Sequence, residues 1–87
     1  MILSSTQRKN VTQLDHAQYM YLVGKKYWGR YPDGRRDGRI ITVEDVRFSV
    51  LFHTGVAIYV EDSTGHSWVT SQADRVAEEI GKYEEAA

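Results

Sequence analysis

The chain of 87 residues has no cysteine, a single proline and no long run of apolar residues. Without cysteine there is no disulfide, no thiolate nucleophile and no cysteine-ligated zinc, so packing alone must stabilise the fold. No segment approaches the roughly 18 apolar residues of a membrane span, and no apolar signal region follows Met1-Ile2-Leu3. We therefore expect a cytoplasmic protein that does not bind membranes.

The length sets a second limit. A chain this short buries little more than half of its unfolded surface, so we expect one modest core and no large catalytic cleft. Its 41% apolar and 26% charged residues are typical of a folded domain. Residues 1–11 are predicted to be a flexible lead-in, and residues 12–87 to form a single small domain.

The positive charges are unevenly distributed along the chain. Six of the eleven Lys and Arg residues lie between Lys25 and Arg39, where only Asp33 and Asp37 oppose them. This segment, the basic window, has a net charge of +4, whereas the whole chain carries −1. A nearly neutral protein has no general reason to concentrate its cations in this way, so the window is the first candidate for a functional surface.

The basic window predicts a loop that binds nucleic acid. Two Asp-Gly turns, each followed by Arg, direct guanidinium groups outward. Lys and Arg contact phosphates, and Tyr or Trp rings stack on unpaired bases at about 1 to 3 kcal/mol each. The candidate phosphate contacts are Lys25, Lys26, Arg30, Arg35, Arg36 and Arg39. The candidate stacking rings are Tyr27, Trp28 and Tyr31.

A different interpretation is that the arginines of the window keep a hairpin soluble and pair with Asp33, Asp37 or an acidic C-terminal helix. The net charge of −1 favours it, because nucleic-acid modules are typically basic overall. The alternative function is then a protein-interaction adaptor or inhibitor. Either the basic loop meets an acidic partner, or the acidic helix meets a basic one, in a monomer or small homo-oligomer.

The N-terminal part of the domain predicts a short helix. Thr12 and Asp15 have the spacing of a capping box, and Gly24 suits the helix end. Leu14, Ala17 and Tyr21 would share one side of this helix. The continuous apolar run over residues 19–23 is equally consistent with a buried strand.

The middle of the chain predicts five strands. The clearest covers residues 46–53, where Val46, Phe48, Val50 and Phe52 alternate with other residues and form one apolar face. A turn at Thr54-Gly55 joins it to a strand that begins at Val56 in an antiparallel hairpin. The other predicted strands cover residues 25–31, 39–43 and 67–70, with turns at Glu44-Asp45 and at residues 62–65.

The last segment predicts an amphipathic helix. Ser71 and Asp74 form a second capping-box pattern. The apolar residues at helical spacing are Ala73, Val76, Ala77, Ile80 and Tyr83. Acidic residues fill most other positions and give residues 74–87 a net charge of −3, which is typical of a solvated helix face.

Five short antiparallel strands protect their edges best by curling into a small barrel. The order of features over residues 24–70 resembles an SH3-like barrel, with a charged aromatic loop after the first strand and a meander behind it. The predicted fold class is therefore mainly β with flanking helices (α+β). It consists of a five-stranded antiparallel SH3-like barrel, a short N-terminal helix and the C-terminal helix, with an OB-like barrel as the alternative.

The histidines give little support to an enzyme. His53, Asp62 and His66 lie at neighbouring turns, and Ser49 or Ser67 can be combined with His53 as a triad. No metal-ligand spacing and no oxyanion motif accompanies these residues. We predict a non-enzymatic binding module without a cofactor or metal.

Overall fold

The computed structural model describes residues 15–86. The predicted lead-in, with Thr12 and Leu14 of the first helix, lies outside the described residues. The elements in chain order are a 3-10 helix His16–Leu22, strands β1 Lys26–Arg30, β2 Arg36–Phe48, β3 Val56–Asp62 and β4 Ser67–Thr70, and helix α1 Ala73–Ala86.

The four strands form one antiparallel sheet in the order β1-β2-β3-β4. Helix α1 packs mainly on β1, and the 3-10 helix packs on β2. Both cover the same face of the sheet, which we call the covered face, and the opposite side is the open face. The buried core between these layers comprises Tyr19, Leu22, Tyr27, Ile41, Val43, Val46, Val56, Ile58, Val60, Ala73, Val76 and Ile80.

The predicted barrel is wrong. Residues 15–86 contain four strands rather than the predicted five, and β1 and β4 lie at opposite edges of an open sheet. The broad α+β class holds, but neither an SH3-like nor an OB-like barrel forms. The apolar side of the sheet is covered by α1 and the 3-10 helix, so it does not need to curl on itself to exclude water.

The strand count falls because the predicted turn at Glu44-Asp45 is absent. Instead β2 continues through both acids for 13 residues, with a register shift between Val43 and Asp45. Such a bulge adds one residue to one strand of a pair. It places Val46 on the same face as Val43, opposite Ile58 and Val60 respectively.

The predicted strand over residues 46–53 ends early, at Phe48. Residues 49–55 form a loop, in which the Ser49 amide donates to the Gly55 carbonyl oxygen (3.0 Å) and its hydroxyl accepts from the Leu51 amide (3.2 Å). Val50 is therefore 78% exposed and Leu51 89% exposed. The alternating apolar pattern of the sequence extends past the end of the strand. Ser49 fits a polar position of that pattern, although it begins the loop.

The first helix forms as a 3-10 helix and not as an α-helix. The Asp15 carboxylate caps it by accepting from the Ala17 amide, at 3.0 Å. Tyr19 and Leu22 are the residues that it buries, whereas Ala17 and Tyr21 are exposed. The tighter helix, with about 3.0 residues per turn, brings positions three apart onto one side.

The C-terminal helix confirms the predicted apolar stripe, with Ala73, Val76 and Ile80 buried. Asp74 has a different partner from the predicted capping interaction: its carboxylate accepts a 2.6 Å hydrogen bond from the Tyr19 hydroxyl. This bond raises the pKa of Tyr19 to about 12, together with burial. It ties the 3-10 helix to the first turn of α1.

Candidate binding surfaces

The basic window forms the β1–β2 hairpin. Most of its residues belong to the strands, and only residues 31–35 form the loop. The Tyr31 amide donates to the Arg35 carbonyl oxygen (2.8 Å), and Gly34 adopts a φ of +94° at the predicted turn. The window is therefore a compact hairpin end and not a long projecting loop.

Four of the six cations in the window pair with acids of residues 15–86. The pairs are Lys25–Glu84 (3.0 Å), Arg30–Glu79 (2.8 Å), Arg35–Asp33 (2.7 Å), Arg39–Asp37 (2.7 Å) and Arg39–Asp62 (3.0 Å). Helix α1 and the β3–β4 turn thus supply three of the acids that neutralise the hairpin.

These pairs differ in how easily a ligand could replace them. The Arg35–Asp33 and Lys25–Glu84 pairs are exposed on both sides, and exposed pairs are worth about 0 to 1 kcal/mol. Glu79 is buried, and burial raises its pKa, but the hydrogen bond and charge of Arg30, with Lys82, outweigh this and lower it. Arg30 is therefore committed to the fold, because releasing it would leave a buried carboxylate without its main partner.

Asp62 holds Arg39 in a similar way and also builds the β3–β4 turn. One carboxylate oxygen accepts from the amide and hydroxyl of Thr64 (2.9 and 2.6 Å) and from the His66 amide (3.0 Å). The other oxygen accepts from Arg39 at 3.0 Å. The Thr64 hydroxyl is the largest cause that holds the pKa of Asp62 far below its usual range; burial opposes it, and the His66 amide and Arg39 lower the pKa further.

The aromatic residues of the window are mostly covered. Tyr27 is 8% exposed and belongs to the core, so its ring cannot stack on a base. Trp28 meets the ring of Tyr83 at 4.9 Å, and the Arg36 guanidinium lies 3.3 Å from the Trp28 ring centroid. Tyr31 is exposed, with Arg35 at 4.9 Å from its ring centroid. Of the three proposed stacking rings, only Tyr31 presents a largely accessible face.

A glycine in β1 gave a sequence signal for the buried part of this network. A Cβ atom built on Gly29 would lie 2.6 Å from the Asp37 Oδ1 atom and 2.9 Å from two guanidinium nitrogens of Arg39. Glycine inside a strand often marks such a close approach. Gly29 is therefore a sign in the sequence that the Asp37–Arg39 pair on β2 packs against the backbone of β1.

The open face of the sheet is a surface that no single segment of the sequence marks. The strand registers align three rows of residues across it. One row comprises Lys26, Thr42, Glu61 and Ser67, the second Tyr59 and Val69, and the third Trp28 and Ile40. In β3 the apolar residues Val56, Ile58 and Val60 alternate with Ala57, Tyr59 and Glu61, but the other strands are needed to assemble the face.

This open face combines an apolar hollow with two acids. Tyr59 and Val69 are exposed and, with Glu44, line a hollow of about 390 Å³. Glu44 and Glu61 form no ion pair with any cation of residues 15–86. Arg47 lies 5.2 Å from the Tyr59 ring centroid and pairs with Asp45 at 2.6 Å. Glu44 lines the hollow and Glu61 lies next to it, opposite Ser67 of the lining; neither carboxylate has a cationic partner within the described part of the chain.

The histidine positions do not assemble a site. The His66 ring lies against Trp68, with a centroid distance of 5.5 Å, and Asp62 is occupied by its turn. Within residues 15–86, no group of three or more His, Cys, Asp or Glu side chains is arranged to hold a metal ion. No helix in the same range is long and apolar enough to span a membrane.

Comparisons of the chain with protein-family models, curated proteins and solved structures gave no match.

Proposed function

We propose that this protein is a non-enzymatic interaction module that binds a protein partner on the open face of its sheet. The observation that carries the proposal is the apolar hollow of Tyr59 and Val69 beside Glu44 and Glu61. Apolar surface supplies the main favourable term in protein association, and complementary charges select the partner. The complementary ligand is a segment with an apolar side chain flanked by Lys or Arg.

The ion pairs within the chain favour the open face over the basic window as the binding surface. Most cations of the window already have an acidic partner, and two of those acids, Asp62 and Glu79, are buried. Replacing such a pair with an external ligand would leave a buried charge uncompensated. Glu44 and Glu61 need no such exchange, so a basic ligand gains their attraction without that cost.

The test is a panel of synthetic peptides in which an apolar residue is flanked by basic, acidic or neutral residues. Binding is followed through the backbone amide shifts of the ¹⁵N-labelled protein. We expect the basic-flanked peptides to shift residues of β2, β3 and β4 on the open face. The double substitution Glu44→Lys and Glu61→Lys should abolish these shifts.

The matched control is Glu78→Lys with Glu85→Lys, which makes the same change of charge on exposed positions of α1. The control should retain peptide binding. The proposal is contradicted if no basic-flanked peptide binds, or if both double variants lose binding equally.

Nucleic-acid binding at the β1–β2 end is the second candidate function. Lys26 and Arg36 form no ion pair within residues 15–86, and the acid partners of Lys25 and Arg35 are exposed. These four cations can reach phosphates without disturbing the core. If all four do so, the logarithm of the affinity should fall by roughly 3 per tenfold increase in salt.

Labelled single- and double-stranded oligonucleotides, titrated at several salt concentrations, test this second candidate. Substitution of Arg35 and Arg36 by Glu should abolish binding while the thermal unfolding remains close to that of the wild type. The absence of binding at low salt would rule the candidate out. The proposed compartment is the cytoplasm, which fractionation of the source cell tests.

A further inference from the structure

A cavity of about 160 Å³ lies between α1 and the covered face of the sheet. Strands β1, β2 and β4 and helix α1 all contribute to its lining. Among its lining residues are three arginines, Arg30, Arg39 and Arg75, with one carboxylate, that of Glu79, and the ring of Tyr27. This concentration of guanidinium groups in a partly enclosed space is the feature that needs an explanation.

Tyr27 brings a polar group to this cavity from the core. The residue is 8% exposed, and its hydroxyl has no hydrogen-bond partner among residues 15–86. Burial raises the pKa of Tyr27, while the positive charge of Arg75 acts in the opposite direction. The hydroxyl therefore keeps its proton at neutral pH and is available to donate a hydrogen bond into the cavity.

The three arginines are not equally available to a ligand. Arg30 donates to Glu79 at 2.8 Å, and Arg39 is held by Asp37 and Asp62. Arg75 forms no ion pair with an acid of residues 15–86 and stands in the first turn of α1. The helix dipole also favours an anion near that position. Arg75 is thus the cation whose charge remains to be matched.

The acid in the lining does not cancel this charge. The Glu79 carboxylate is shared between Arg30 (2.8 Å) and Lys82 (3.6 Å). Arg75 lowers the pKa of Tyr27 more than Glu79 raises it, whereas Arg39, which is paired with Asp37 and Asp62, lowers it less than Glu79 raises it. The cavity therefore favours a negative ligand over a neutral or positive one.

We infer that this cavity binds a phosphate group, held by the Arg75 guanidinium and the Tyr27 hydroxyl. Phosphate has several acceptor oxygens in a small tetrahedron, and Arg matches two of them at once. The cavity volume of about 160 Å³ accommodates such an ion, since one water molecule takes up about 30 Å³ in the liquid. This inference is independent of the proposed function, because the open face lies on the other side of the sheet.

Titration of the ¹⁵N-labelled protein with inorganic phosphate, up to about 20 mM because single-group ligands bind in the millimolar range, tests the inference. Amide shifts should concentrate in β1, β4 and the first turn of α1. Tyr27→Phe keeps the ring in the core and removes only the hydroxyl. It should weaken binding by about tenfold, the usual effect of one hydrogen bond to a charged group. Arg75→Gln should weaken it at least as much.

Arg47→Gln is the control, because it removes the same guanidinium group at the other end of β2 and should leave phosphate binding unchanged. A parallel titration with adenosine monophosphate separates free phosphate from a phosphorylated small molecule as the ligand; the tighter binder identifies the source. The inference is overturned if the amides around the cavity do not shift, or if Tyr27→Phe and Arg75→Gln bind phosphate as tightly as the control.

Discussion

The two ends of β2 differ in their side chains: one end is rich in charged residues and the other exposes apolar residues. At the β1–β2 end, charged residues are dense, and four of the six cations pair with acids of residues 15–86, three of which lie on α1 or at the β3–β4 turn. At the β2–β3 end, three apolar residues are exposed: Phe48 at the end of β2, and Val50 and Leu51 on a loop that hydrogen-bonds mainly to itself.

This difference shows that a high number of charged residues in one segment does not mean that their charges are available to a ligand. The cations of the first end are numerous, but Arg30 and Arg39 stabilise buried acids and contribute to the fold. The apolar residues of the second end are few but accessible. A ligand therefore meets a largely compensated surface at the charged end and an uncompensated one at the apolar end.

The largest expected effect distinguishes a buried leucine from an exposed one. Leu22, in the 3-10 helix that packs on β2, is fully buried, and Leu22→Ala should lower the free energy of unfolding by about 2 to 5 kcal/mol. Leu51→Ala should change it by less than about 0.5 kcal/mol, because Leu51 is exposed. Urea unfolding followed by circular dichroism measures both. A similar loss in both variants would mean that the loop is packed in solution.

A somewhat smaller effect should distinguish two neighbouring acids of α1. Glu79→Gln weakens the buried pair with Arg30 and should lower the free energy of unfolding by about 1 to 3 kcal/mol. Glu78 is exposed, so Glu78→Gln should remain within about 0.5 kcal/mol of the wild type. Equal free energies of unfolding in the two variants would show that the Arg30–Glu79 pair does not stabilise the fold.

The pH dependence of stability should reveal the buried acid of the charged end. The pKa of Asp62 is lower in the folded state than in the unfolded chain. Its contribution is therefore complete above the ordinary aspartate pKa of about 3.9 and declines as the pH falls from there toward the lower folded value. Melting temperatures measured between neutral and acid pH should show this decline.

Asp62→Asn should remove much of that decline. At pH 7 its melting temperature should fall by roughly 5 °C or more, and the difference from the wild type should shrink in acid. Thr64→Ala, which removes one hydrogen bond to the carboxylate, should give an intermediate curve. An Asp62→Asn variant as stable as the wild type at neutral pH would contradict the role of this carboxylate.

The smallest expected effect concerns the exposed pair at the tip of the hairpin. Arg35→Gln removes the ion pair with Asp33 and should change the free energy of unfolding by less than about 0.5 kcal/mol. The result should not depend on salt within the error of the measurement. A larger loss would show that the tip, like the rest of the charged end, supports the fold.

The sequence predicted those elements whose signal is local. The strand over residues 67–70 and the turn at residues 62–65 are confirmed, and the helix begins within two residues of its predicted cap. The bulge in β2 was not predicted, because paired acids are more typical of a turn than of a strand interior. Because β2 continues through the two acids, two predicted strands form one long strand. The predicted five-stranded barrel is therefore replaced by an open sheet of four strands.

The candidate site was harder to predict, because its partners are distant in the chain. Arg30 and Glu79 are 49 residues apart, and Arg39 and Asp62 are 23 apart. The sequence raised pairing with the acidic helix as a possibility but could not choose the partners, since that depends on how α1 lies across β1. The open face likewise required the register of four strands, which no single strand contains.

The bulge at Glu44 also bears on how this protein can vary in evolution. Core positions have odd numbers before it, as in Ile41 and Val43, and an even number after it, at Val46. A relative that lacks this one residue can keep every core contact in an unbroken strand, whereas a deletion elsewhere in β2 would invert the remaining half. Single-residue gaps should therefore be tolerated at this position of β2, and a relative with such a gap would lose one of the two acids beside the hollow while retaining the fold.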